Sequence, residues 1–216
     1  SRDDEPFTFI ARLAERDLQR IDPSVQGAPL FFAAVENCQR QGAVVHIRDS
    51  ATTVAQLPGD LYHALVEREV QVFDSVSLAQ PADEFDRWRF APDFLADHEA
   101  MRAYQSLYEE SLGFEGQQPM AVAFGNPHYC QANPKFSAEQ RFTKLGHDAQ
   151  QEFTYETALT AELLRNSARW ITLFSSWTNE KAGLQFYDTG TLSFLIAEDE
   201  FWVRDFSRVY VNLDYM

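Results

Sequence analysis

The chain has 216 residues, 45% of them hydrophobic and 14% aromatic, and carries a net charge of −15 from 33 acidic against 18 basic residues. That length and apolar content fit one folded domain with a sizeable core and exclude a disordered chain. The negative field extends over both halves; it excludes nucleic acid and anionic membranes as partners and would steer in a cationic one.

In chain order, Phe7 to Ile21 places Ile10, Leu13, Ala14, Leu18 and Ile21 at helical spacing, and Pro23 stops the run, which predicts an amphipathic helix. Pro29–Val35 and Ala43–Ile47 are short apolar runs rich in Phe and Val, and predict strands. Leu57-Pro58-Gly59-Asp60 has turn composition, Leu61–Glu69 is ambiguous, and the alternation of Val70, Val72, Val76 and Leu78 predicts a further strand. The stretch Pro81–Pro92 is a charged connector whose Phe85, Trp88 and Phe90 would pack onto the body. Phe94–Leu112 predicts a helix ending before Gly113, and Ser137 to Asn166 a helical region broken near Gly146. Three strands close the chain: Trp170–Trp177, Leu192–Ala197 and Val209–Leu213. Strands in two groups with helices between them predict a single α+β domain over 1–216 with a largely antiparallel sheet.

The two cysteines, Cys38 and Cys130, make no disulfide framework. No apolar run approaches the ~20 residues of a membrane span, and the acidic opening SRDDEPFTF has no signal-peptide pattern, so cytoplasmic residence is expected. The nine glycines form no phosphate-binding loop, the five histidines no metal-ligand pair, and no cofactor or metal is expected.

Two features have chemical potential. In His128-Tyr129-Cys130, residues two apart share one side of an extended segment, so the imidazole and thiol approach each other, and Cys130 with His128 is the candidate nucleophile and base. The expected reading is nonetheless a small buried thiol beside a turn histidine, with no catalytic residue, and a cysteine-dependent, hydrolase-like enzyme is the alternative. The acids Asp83, Glu84, Asp86, Asp93 and Asp97 surround Trp88, and Glu198, Asp199 and Glu200 precede Phe201-Trp202. An aromatic anchor inside an acidic rim is what gripping a basic protein requires. The same acids also read as solvated faces or helix-start charges, and Trp170, Trp177 and Trp202 as core or sheet residues.

The order of residues in the last third resembles the C-terminal signature of the YwqG-like family of bacterial proteins. Trp170 leads a strand; Asp188-Thr189-Gly190 stands where the family has a D-x-G turn; an acidic helix start follows; and Phe206 and Val209 enter the last strand. Gly125, Pro127 and Gln131 extend the match upstream, so it covers residues 120–216, whereas in the first half only Pro29–Ala34 echoes the pattern. Proteins of this kind occur among the immunity proteins of polymorphic toxin systems. The resemblance therefore implies an acidic binding module, without a catalytic site, that occludes the active face of a basic toxin. The anchors themselves read as architecture, with Asp188 bonding backbone amides and Gly190 accepting positive φ.

Overall fold

A computed structural model describes residues 7–34, 42–47, 70, 72, 74, 77–79, 97–112, 121–127, 129–130, 133–143 and 158–215. The fold is α+β, with two antiparallel sheets and helices packed around them. The first sheet has the order β1-β2-β3, from β1 (Thr8–Arg12), β2 (Ala28–Ala33) and β3 (Gly42–Ile47). The second has the order β4-β5-β6-β7, from β4 (Ala121–Val122), β5 (Trp170–Trp177), β6 (Thr191–Ala197) and β7 (Tyr210–Asp214). The three C-terminal strands thus share one antiparallel sheet, as their apolar content predicts.

The segment predicted as one helix from Phe7 to Ile21 is β1 followed by the single turn α1 (Glu15–Leu18). Phe7-Thr8-Phe9-Ile10 is rich in aromatic and β-branched residues, and Thr8 to Arg12 pair with Ala33 to Leu30 of β2. Ile21, expected on the apolar stripe, is 60% exposed. The strand expected around Val70–Leu78 is also absent among the described residues of that stretch. Ser77 instead accepts from the Asn126 backbone N–H (2.8 Å) through its hydroxyl and from the Asn126 side chain (2.9 Å) through its carbonyl. Gly125 permits that contact, because a Cβ there would lie 2.7 Å from the Ser77 side chain.

The core lies between the sheets. Phe31 of β2 meets Phe174 at 5.2 Å and Phe194 at 5.1 Å, with Ile10, Val44, Leu173, Leu192, Ile196, Val211 and Leu213 around them. Each fully buried ring stabilises the fold by roughly 2–3 kcal/mol relative to exposure. The other face of the second sheet is covered at one end by α3 (Pro134–Phe142) after the longer α2 (His98–Leu112), and α4 (Ala158–Ser167) packs on α3. Glu139 of α3 is buried and accepts from Trp170 Nε1 (2.8 Å) and Arg169 Nε (2.9 Å), which satisfies an indole N–H that would otherwise be stranded. Between β5 and β6 the Ser175 and Ser193 hydroxyls bond each other at 2.8 Å.

The connection from β5 to β6 is held by Thr178. Its hydroxyl accepts from the Phe186 and Gly190 amides and donates to the Phe186 carbonyl. Asp188 is exposed on this turn. The positive φ expected at Gly190 falls on Tyr187 instead (φ 54°), whose ring stacks on Tyr215 at 4.4 Å. Gly190 is needed for space, since a Cβ there would sit 2.2 Å from the Phe186 carbonyl oxygen. Among the described residues no helix is long and apolar enough to cross a membrane.

Candidate functional site

Directly after β6 the chain turns into α5 (Glu198–Val203), with Glu198, Asp199 and Glu200 in its first turn, where carboxylates favour the helix dipole. The helix ends at Arg204 in the left-handed conformation (φ 59°), and the Asp205 amide donates back to the Glu200 carbonyl (3.0 Å). A non-glycine residue there costs about 1 kcal/mol. The Arg204 guanidinium offsets this by donating to the Ser24 carbonyl at 3.1 Å and the Gln26 carbonyl at 3.5 Å, which ties α5 to the loop after α1. Asp205 then caps a 3-10 turn, Phe206–Arg208, by accepting from the Ser207 amide, and hydrogen bonding from the Ser207 side chain first and this amide second holds its carboxyl below the usual carboxylate range.

This construction leaves Trp202 61% and Val203 74% exposed, the two most exposed large apolar side chains among the described residues. Glu198 and Asp199 are exposed beside them, whereas Glu200 is turned inward onto Arg208 (2.7 Å) and belongs to the scaffold. A recess of about 100 Å³ opens between α5, the loop after α1 and the inner sheet surfaces. Phe124, Phe201, Trp202, Phe206 and His46 contribute rings to its wall, Leu18 and Leu173 line it with aliphatic surface, and Asp22 and Arg204 are its charged members. The rings pack on one another: Phe201–Trp202 at 5.2 Å, Phe124–Phe201 at 5.7 Å and His46–Phe206 at 5.5 Å. Asp22 accepts from the Ser24 amide at 2.9 Å, and the Ser24 bonds lower its pKa.

Of the other sequence-predicted site residues, Asp83, Glu84, Asp86, Trp88, Asp93 and His128 lie outside the described residues. Asp97 caps α2, its Oδ1 accepting from the Glu99 (2.9 Å) and Ala100 (3.0 Å) amides, so its carboxylate has a structural task. Cys130 is partly buried; its thiol donates to the Thr189 carbonyl (3.1 Å) and its amide to Asp214 (2.6 Å). Burial, then the Asp214 charge, push this thiol up, opposite to the shift an activated nucleophile needs. Trp202 and its acids stand out in the sequence as an expected site, whereas the recess does not. Only Phe201 and Phe206 among its other members carried a signal, one beside Trp202 and the other as a signature residue.

None of the curated proteins matches this chain. A family model matches residues 1–214, and the chain belongs to the family of the domain of unknown function DUF1963.

Proposed function

We propose that this chain is an acidic protein-binding module, and that it acts as an immunity protein, occluding the active face of a basic cognate toxin in a bacterial cell. The observation that carries this reading is the exposure of Trp202 and Val203 beside Glu198 and Asp199. Tryptophan is among the residue types enriched at the hot spots of protein interfaces, and an acidic rim speeds encounter with a cationic partner. The net charge of −15 acts in the same direction over the whole surface. The resemblance to YwqG-like proteins supplies the toxin context.

The test is genetic and then biophysical. Expression of the gene immediately upstream without this one is expected to kill the cell, and co-expression with the wild-type chain to restore growth. Trp202→Ala is expected to weaken binding of the purified toxin by 2 kcal/mol or more, about thirtyfold, with an unchanged melting temperature because the ring is mostly in solvent. A harmless neighbour, or a toxin bound equally well by the Trp202→Ala protein, overturns the reading.

A further inference from the structure

Within the protein-binding reading, the recess beneath Trp202 has a chemistry of its own. Its wall carries the rings of Phe124, Phe201, Trp202 and Phe206, and its volume of about 100 Å³ accepts one side chain rather than a segment of chain. Its two opposite charges are not equivalent. Arg204 spends its N–H groups on the Ser24 and Gln26 carbonyls, although its charge still acts on Asp22, whereas Asp22 accepts from the Ser24 amide through Oδ1 and is a carboxylate on the recess wall. Aromatic faces attract a cation to within about 6 Å of the ring centroid, and a carboxylate at the same site adds a counter-charge.

We infer that the recess is a subsite for one basic side chain, arginine or lysine, of the protein partner, with its stem and charge against the Phe201 and Trp202 rings and its head paired to Asp22. The inference deepens the reading above and depends on it for the partner. The subsite itself is measurable without one. An aliphatic side chain would fill the same space but bring Asp22 no counter-charge beyond that of Arg204, and an acidic one would meet both Asp22 and the chain's net charge of −15.

The experiment titrates the full chain with blocked tripeptides, Gly-Arg-Gly and Gly-Lys-Gly, and their uncharged counterparts carrying citrulline and norleucine. The readout is the indole N–H resonance of Trp202, assigned from the Trp202→Phe protein. A saturable shift at millimolar concentration with a basic peptide is expected, about tenfold weaker with its uncharged counterpart. Asp22→Asn keeps the Oδ1 acceptor for Ser24 and removes only the charge, so it is expected to abolish the preference for the basic peptide while the melting temperature holds. Equal affinity for charged and uncharged peptides, a preference that survives Asp22→Asn, or no shift with any peptide overturns the subsite. Loss of the subsite while the toxin still depends on Trp202 leaves the protein-binding reading intact. A working subsite in a cell where no neighbour is toxic removes the immunity reading alone.

Discussion

Cys130 shows how burial decides what a residue type can do. Its thiol is raised from an ordinary value of 9.0 by desolvation first and the Asp214 charge second. The folded chain therefore favours the protonated form. This contribution to stability is complete below the unfolded thiol's pKa and is lost as pH rises through the higher folded value. In a Cys38→Ser background, alkylation of Cys130 near neutral pH is expected to be slower than in the urea-unfolded chain, and its rate to go on rising with pH beyond the point where that of the unfolded thiol levels off. Cys130→Ala is expected to leave toxin binding unchanged. Rapid labelling near neutral pH, together with loss of protection in the alanine variant, would instead make the thiol chemically active. The spacing from His128 to Cys130 was legible in the sequence; the Thr189 carbonyl and Asp214, 59 and 84 residues away, were not.

Among the elements, legibility followed locality. β5 was readable to the residue from Trp170 to Trp177, and β6 and β7 to within one, because short stretches rich in aromatic and aliphatic residues and bounded by turn residues read as strands even where Ser175, Ser176 or Asn212 interrupts them. The first fifteen residues of the described chain misled, since Ile10, Leu13, Leu18 and Ile21 fit a helical period by coincidence. Pairing with β2, some twenty residues on, overrode that period. The recess was illegible for the same reason: it joins Asp22, His46, Phe124 and Arg204, and its Arg204–Ser24 bond spans 180 residues. The turn before β6 was recognisable from Asp188 and Gly190, but the reason for the glycine was not. Gly190→Ala places a Cβ 2.2 Å from the Phe186 oxygen, so it should destabilise the fold by about 3 kcal/mol, within the range for overpacking a tight site. Chemical denaturation measures this; a loss under 1 kcal/mol would mean that Phe186 moves aside freely.

At the scale of the molecule, charge and apolar contact should separate in the kinetics of binding. Glu198→Lys with Asp199→Lys changes the net charge from −15 by four units to −11 and puts cations beside Trp202 without touching the Glu200–Arg208 pair. The helix start loses favourable dipole interactions of about 0.3–1 kcal/mol per residue, too little to unfold a domain of ordinary stability. Steering by exposed charges acts on encounter and is screened beyond ~10 Å at 0.1 M salt. The double variant is therefore expected to bind the toxin with a slower association rate and a flatter dependence on salt, at a nearly constant dissociation rate. Trp202→Ala should do the reverse, raising the dissociation rate and sparing the salt dependence. Lysines at Asp83, Glu84 and Asp86 provide the parallel experiment on the acids around Trp88. If only that second set changes the association rate, the docking face is centred there and not on α5. Stopped-flow association at two salt concentrations on the three variants decides between the two faces, and unchanged rates in both lysine variants would reduce the acidity of this chain to a means of staying in solution.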